Sequence, residues 1–180
     1  MTEDDLIGEV LKREGGWRGQ VIRPNKTVDP PTNKGITLPT LQAWAKRHGQ
    51  PQPMIKELRF LSDETAAAIY SELFITGPGF TPANIPFEPL RVQLIDFGIN
   101  SSPERAIRWL QRVIDVHPVT GVLNQQTIDK VPTLPMRLVN DALVAARCYM
   151  IDQAVDQGII RKEDEEGLES RALSFFLAKP

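Results

Sequence analysis

Glu14 is a carboxylate in an unusual position for a charged side chain. It follows Ile7, Val10 and Leu11 by seven, four and three residues, which on a helix places it on the apolar face. A carboxyl group that loses hydration there is favoured in its neutral form, and a neutral carboxyl can protonate the leaving oxygen of a glycosidic bond. The alternative is that the helix frays at its end, so that Glu14 lies in solvent and binds Arg18.

The elements that would position Glu14 are predicted to be helices. Thr2 is a suitable N-cap for the first helix, and three acidic residues follow it where the helix dipole favours carboxylates. Gly15 and Gly16 end that helix, and residues 17–36 predict an irregular loop or a short hairpin. Further helices are predicted from near Thr37 to His48, from Ser62 through Leu73, from Leu90 to Asn100, from Ser102 through Ile114, over Thr127 to Lys130, from Pro135 to Gln157, and over Leu173 to Leu177.

The fold class that follows from these helices is all-α. Apolar residues make up 41% of the chain of 180 residues, which is enough for one packed interior, and strand signals are weak throughout. The stretch from Thr76 to Pro89 is rich in proline and glycine and predicts a hinge. We therefore expect two lobes, residues 1–85 and 86–180, that form one compact unit.

Charge and hydropathy exclude several classes of partner. The formal net charge is −2 with both signs interspersed, which does not provide the basic face that binds nucleic acid. No apolar run approaches the roughly 20 residues that span a membrane, so we expect no stable membrane insertion. The N-terminus is acidic where a secretory signal would be basic and then apolar, which predicts synthesis in the cytoplasm without a signal peptide.

Metal, thiol and cofactor chemistry are not predicted. His48 and His117 have no cysteine or acidic partner at ligand spacing, so we expect no metal site. Cys148 is the single cysteine and is predicted to be a small buried hydrophobe rather than a nucleophile. The chain has no glycine-rich phosphate loop, and no cofactor is expected.

Five segments in a fixed order resemble one enzyme family. They are Glu-Gly-Gly-Trp at 14–17, Thr-Asn-Lys-Gly-Ile-Thr at 32–37, Ala-Ile-Tyr at 68–70, Ile-Asp-Phe-Gly-Ile-Asn at 95–100 and Ala-Ile-Arg-Trp-Leu-Gln at 106–111. With them the chain is similar to the bacterial and phage muramidases of glycoside hydrolase family 108 over residues 5 to about 130. The resemblance implies a lysozyme-like, two-lobed helical fold with a catalytic first lobe and a second lobe similar to peptidoglycan-binding modules.

The same resemblance implies cleavage of the β-1,4 bond between N-acetylmuramic acid and N-acetylglucosamine, with Glu14 as the general acid. Three loop residues, Asp29, Thr32 and Thr37, fall where related lysozymes keep groups that position the water or the sugar, and Asp29 or Thr32 would hold the attacking water. Each also has a structural interpretation: Asp29 as a turn residue before Pro30, Thr32 as an anchor of the loop, and Thr37 as a helix N-cap. The loop departs from the family's usual Asp-Pro-Gly-Gly-Ala-Thr, which leaves the role of Asp29 and the stereochemical outcome open.

Four further residues are candidates for substrate binding. Trp17 either stacks on a sugar ring or packs against the loop, and the Tyr70 hydroxyl either enters the cleft or belongs to the core. Asp96 and Asn100 are four residues apart on an apolar helix and are expected to face inward together. They would then either line the sugar cleft or form a buried hydrogen-bond network that joins the lobes.

The resemblance also implies a biological setting. We expect a monomeric phage or prophage endolysin that reaches the periplasmic peptidoglycan with the help of a holin. Two alternatives remain open at this point. A lytic transglycosylase would use the same glutamate but form an anhydro sugar without water. A peptidoglycan-binding protein that has lost catalysis would be compatible with the altered Pro30-Pro31 loop.

Overall fold

The computed structural model describes residues 2–22 and 28–177, and the predominantly helical chain confirms the predicted all-α, lysozyme-like fold class. The chain divides into two compact units, here called the N-terminal unit (residues 2–73) and the C-terminal unit (residues 74–177). The assignment of catalysis to residues 1–85 and of a second lobe to residues 86–180 stays a prediction. Within the described ranges, no helix combines the length and the apolar character needed to cross a bilayer.

Helix α1 (Glu3–Glu14) carries the candidate acid at its last residue. It begins with a capping box, in which the Asp5 backbone N–H donates to the Thr2 hydroxyl at 3.1 Å and the Thr2 N–H donates to the Asp5 carboxylate at 2.9 Å. It ends at Gly15, whose φ of 69° is accessible to glycine at little cost. Its apolar side packs against helix α4 (Asp63–Ser71), whose N-cap is Ser62 as predicted.

Two small hairpins lie between α1 and the next helix. Strands β1 (Val21–Ile22) and β2 (Val28–Asp29) form the first, and β3 (Thr32–Asn33) and β4 (Ile36–Thr37) form the second. Lys34 and Gly35 connect β3 to β4 with φ values of 52° and 75°, the signs of a type I′ turn. Asn33 and Ile36 are buried while Thr32 and Thr37 are half-buried, so the two threonines share one face of the hairpin.

Helices α2 (Leu38–Arg47) and α3 (Ile55–Arg59) complete the N-terminal unit. The predicted cap of α2 is observed, because the Thr40 N–H donates to the Thr37 hydroxyl at 3.3 Å. Helix α3 was not predicted. The Asn33 side-chain amide donates to the carbonyls of Leu58 and Arg59 at 2.9 and 3.0 Å, which joins the β3–β4 hairpin to the end of α3.

The C-terminal unit is built around one long helix. A π-helical turn (Glu72–Thr76) follows α4, and the helices that come after it are α5 (Glu88–Asn100), α6 (Pro103–Val113), α7 (Gln125–Lys130), α8 (Met136–Asp156) and α9 (Lys162–Leu173). Helix α8 packs against α5, α6 and α9. The prediction that Arg161 to Glu166 form a turn before the last helix is wrong. Arg161 is the N-cap of α9, its first turn contains the acidic residues Glu163, Asp164 and Glu165, which the dipole favours there, and the helix ends at Leu173.

Candidate active site

Glu14 lies between the two environments considered for it. Its side chain is 37% exposed, so it is less buried than an apolar-face position predicts, although Leu6, Ile7 and Val10 of the same helix are buried. The nearby cation is Arg13, whose guanidinium nitrogen lies 3.6 Å from Glu14 Oε1. The carboxylate is therefore both accessible to a ligand and adjacent to a positive charge.

The β3–β4 turn lies directly against Glu14. A Cβ atom placed on Gly35 would lie 3.0 Å from Glu14 Cγ and 3.2 Å from Glu14 Oε2, and it would collide with the hydroxyl oxygen of Tyr70. The same residue has a φ of 75°, which side chains other than glycine rarely adopt. Close approach and backbone conformation thus both require glycine at this position, which brings the turn, Glu14 and Tyr70 together.

Tyr70 is fixed in this cluster by a backbone acceptor. It is 6% exposed on α4, and its hydroxyl donates to the Lys34 carbonyl at 3.1 Å. Burial, and to a smaller extent the negative charge of Glu14, raise the pKa of Tyr70 from 10.0 to about 12. The hydroxyl therefore keeps its proton and remains a hydrogen-bond donor over the pH range in which enzymes work. We call Glu14, Lys34, Gly35 and Tyr70 the Glu14 site.

The β3–β4 turn is held by residues from both ends of helix α4. Tyr70, near the end of α4, binds the Lys34 carbonyl, and Asp63, the first residue of α4, lies 2.6 Å from Lys34 Nζ. Lys34 has a positive φ, which is uncommon for a residue with a side chain. These two contacts stabilise that conformation and fix the turn relative to Glu14.

Three loop residues are predicted to act in catalysis or binding, and each has different contacts in the structure. Thr32 exchanges backbone hydrogen bonds of 2.7 and 2.9 Å with Arg18, and its half-buried hydroxyl has no hydrogen-bond partner within residues 2–22 and 28–177. The Thr37 hydroxyl is 2.9 Å from that of Thr40 and caps α2. Asp29 pairs with Val21 through the backbone, and its side chain lies outside the described part of the chain.

Trp17 is near this hairpin in the chain. It is half-buried and directly precedes Arg18, whose backbone bridges Thr32. The N-terminal unit thus contains Glu14, Trp17, Thr32, Thr37 and Tyr70, and it brings Glu14 and Tyr70 into one cluster.

Asp96 and Asn100 belong to the C-terminal unit and have different environments. Asp96 is fully buried, with Arg147 NH2 2.6 Å from one carboxylate oxygen and Arg171 Nε 2.7 Å from the other. Asn100 is exposed at the end of α5, where its amide donates to the Asp96 carbonyl at 2.7 Å, so the two side chains do not face inward together. Neither arginine is predicted as a partner of Asp96 from the sequence alone. Arg147 could have been found, because it continues the apolar stripe of Leu143, Val144 and Ile151.

Metal-binding side chains are not clustered in the described ranges. Among residues 2–22 and 28–177, no three His, Cys, Asp or Glu side chains are placed to hold one ion. The chemistry that the Glu14 site offers is proton transfer by a carboxyl group whose surroundings are fixed by a backbone turn and a buried phenol.

Comparison with known proteins connects this region to one family. A family model described as Glycosyl hydrolase 108 matches residues 7–102, which are 96 of the 180 residues and include the whole Glu14 site. A solved structure, that of Brucella abortus SagA, is similar with a TM-score of 0.65 and 27% sequence identity, over 98% of this chain and 96% of that one. A search of curated proteins gave no match.

Proposed function

This chain belongs to the glycosyl hydrolase 108 family and is a glycoside hydrolase, and from that premise we propose that it cleaves the glycan strands of peptidoglycan with Glu14 as the proton donor. The proposed bond is the β-1,4 linkage between N-acetylmuramic acid and N-acetylglucosamine. The observation that supports Glu14 is its position. It is a half-exposed carboxyl group packed against a glycine turn and a buried tyrosine in the segment matched by the family model.

A general acid must reach the substrate and hold one orientation. The exposed 37% of the Glu14 side chain supports the first requirement. Packing of Glu14 Cγ and Oε2 against Gly35, with Tyr70 on the same side, supports the second, because it limits the positions that the carboxyl group can take. In this proposal Tyr70 holds the turn through the Lys34 carbonyl, and that turn limits the carboxyl group.

The proposed reaction is a hydrolysis that consumes one water molecule for each glycosidic bond. Glu14 gives its proton to the glycosidic oxygen as the bond from that oxygen to the anomeric carbon breaks, and a water molecule then attacks that carbon. Thr32, whose hydroxyl has no partner within the described residues, would orient the water, and Asp29 would accept its proton. Solvent access to Glu14 allows the carboxyl group to be protonated again after each turnover.

The proposed sugar contacts are those of the N-terminal unit. Trp17 would stack on a ring, Thr37 would contact the sugar from the half-buried hairpin face, and Tyr70 would lie beneath the reacting bond. We do not extend the proposal to Asp96 or Asn100, because both Asp96 oxygens are bound by arginines. The proposed setting is cell lysis by a monomeric phage endolysin that a holin releases to the periplasmic peptidoglycan.

The test is the clearing of purified Gram-negative cell walls by the wild type and by Glu14→Gln. The substitution keeps the shape of the side chain and removes the transferable proton, and we expect the rate to fall about 10²- to 10⁴-fold. The matched control is Glu9→Gln, an exposed glutamate of the same helix, which is expected to clear walls at the wild-type rate.

Two other results would contradict parts of the proposal. Equal clearing by the wild type and Glu14→Gln would show that another group is the acid, and sedimentation with walls without clearing would indicate a binding protein. Mass spectrometry of the products separates the remaining alternative, since hydrolysis leaves a reducing muramic acid and a transglycosylase leaves an anhydro sugar.

A further inference from the structure

A concave surface of the N-terminal unit lies between α2 and α3. This α2–α3 groove has a volume of about 650 Å³, and none of the residues that line it belongs to the Glu14 site. Its main lining side chains are Leu41, Trp44, Gln50, Gln52, Met54 and Phe60.

We propose that the α2–α3 groove is an accessory site for N-acetylated sugar rings. The identity of the polymer that supplies those rings rests on the proposed function, whereas the chemistry of the groove does not. The ligand class is a neutral saccharide with acetamido groups, bound without cleavage.

The apolar part of the groove is unusually exposed. Phe60 and Met54 are 74% and 72% exposed, whereas the floor residues Leu41 and Ala45 are buried. Trp44 supplies a second aromatic ring in the same lining. Aromatic rings beside a thioether offer flat, polarisable surfaces to the C–H faces and acetyl methyl groups of sugars.

Two amide side chains supply the polar part. Gln50 and Gln52 are exposed, and their side chains have no hydrogen-bond partner within the described residues. Each amide carries both a donor and an acceptor, which matches the acetamido and hydroxyl groups of a sugar ring. A wholly apolar partner, such as the face of a helix, would bury these amides without satisfying them.

The groove is held in shape before any ligand binds. The Gln42 amide donates to the Pro53 carbonyl at 2.9 Å, and the Met54 N–H donates to the Glu57 carboxylate at 2.9 Å. The Trp44 ring lies against His48 with their centroids 4.6 Å apart. Such preorganisation reduces the entropy lost on binding.

Charge favours a neutral ligand over an acidic peptide. The lining contains one cation, Lys56, and one anion, Glu57, so the two charges balance. Since the Glu57 carboxylate already accepts the Met54 N–H, the groove offers no concentrated field of either sign.

The experiment uses the three tryptophans as local reporters. Chitotriose is titrated into the Glu14→Gln protein, which prevents turnover, and the indole N–H signals are followed by NMR after assignment with Trp→Phe variants. We expect the Trp44 signal to move in a saturable manner. Adding Phe60→Ala should weaken binding, so that the dissociation constant read from that signal rises about threefold to tenfold.

The matched control is Phe176→Ala, which removes another exposed phenylalanine, in the C-terminal unit, and should leave that constant unchanged. Gln50→Ala combined with Gln52→Ala tests the amides and should also weaken binding.

The inference is overturned if only the Trp17 signal moves, or if Phe60→Ala and Phe176→Ala bind equally. It is also overturned if Phe60→Ala converts a dimer to a monomer in sedimentation, because the groove would then bind a second copy. Failure of wall clearing by the wild type would refute the proposed function without changing the Trp44 result.

Discussion

At the scale of single residues, the Glu14 site pairs a carboxylate with a phenol that keeps its proton. Tyr70 is buried, its hydroxyl donates to the Lys34 carbonyl, and the charge of Glu14 further disfavours the phenolate. The hydroxyl is therefore a permanent donor that fixes the turn against which Glu14 lies. The Tyr70 ring could be assigned to the core from its helical stripe, but its acceptor is a backbone carbonyl 36 residues away, which no local pattern reveals.

Tyr70 predicts a specific loss of stability in alkali. Because its pKa is about 12 in the folded protein against an ordinary 10.0, the folded state keeps a proton that the unfolded state loses between these values. The contribution is thus fully present below pH 10 and is lost as the pH rises to about 12, by about 2 to 3 kcal/mol. Chemical denaturation of the wild type and Tyr70→Phe over this range measures it.

We expect the difference in unfolding free energy between wild type and Tyr70→Phe to shrink as the pH rises. Tyr149→Phe is the control, since that ring is 56% exposed, and its difference from the wild type should change little. A constant difference for Tyr70→Phe across the range would show that the phenol is not held in its protonated form.

At the scale of elements, the β3–β4 hairpin positions Glu14 through its backbone. Gly35 has a left-handed φ and no room for a Cβ, so any side chain must displace Tyr70 or Glu14. Gly49 also has a left-handed φ, 64°, but nothing lies within 4 Å of its Cβ position. A side chain at Gly49 would therefore add backbone strain alone, whereas a side chain at Gly35 would add backbone strain and a steric clash.

Gly35→Ala and Gly49→Ala should both cost stability, each by about 1 to 2 kcal/mol from backbone strain. Gly35→Ala should in addition slow wall clearing about 100-fold, because displacement of a catalytic group by about 1 Å has effects of this size. Thermal unfolding and the turbidity assay measure the two effects. Full activity in Gly35→Ala would mean that Glu14 does not need its contact with the turn.

Helix starts were the part of the fold that local sequence predicted best. Thr2, Thr37, Ser62 and Ser102 were each expected to begin a helix, and each hydroxyl accepts a backbone N–H there. Helix α3 was missed because Met54 at its start carries no oxygen acceptor and five residues are too few to show an apolar stripe. The β3–β4 hairpin was indicated only as an alternative to a loop, since strands of two residues have no readable alternation.

At the scale of the whole molecule, the C-terminal unit is organised by one buried charge cluster. Asp96 on α5 binds Arg147 on α8 and Arg171 on α9, which are 51 and 75 residues away in sequence. The Arg147 guanidinium also lies 5.2 Å from the Phe97 ring centre, and its NH1 atom has no hydrogen-bond partner within the described residues. The local spacing of apolar residues cannot predict such distant pairings, although the apolar neighbours of Asp96 do predict its burial.

Asp96→Asn should destabilise the C-terminal unit by about 3 to 5 kcal/mol, because it leaves two guanidinium groups without their anion. Hydrogen exchange should show the loss of protection in α5, α8 and α9. Asp115→Asn, in which an 89% exposed side chain is replaced, is the control and should leave exchange unchanged. Equal protection in both variants would show that the cluster contributes packing rather than charge neutralisation.

The long separation of Asp96 from its partners has a consequence for synthesis on the ribosome. Every residue of the Glu14 site has been made by Tyr70, and the N-terminal unit ends at Leu73. Asp96, by contrast, has only part of its counter-charge until Arg171 is added, 75 residues later in the chain. A nascent chain that has passed Arg147 but not Arg171 therefore holds Asp96 with one of its two guanidinium partners, and we expect α5 and α8 to gain their full protection only after Arg171 has been added.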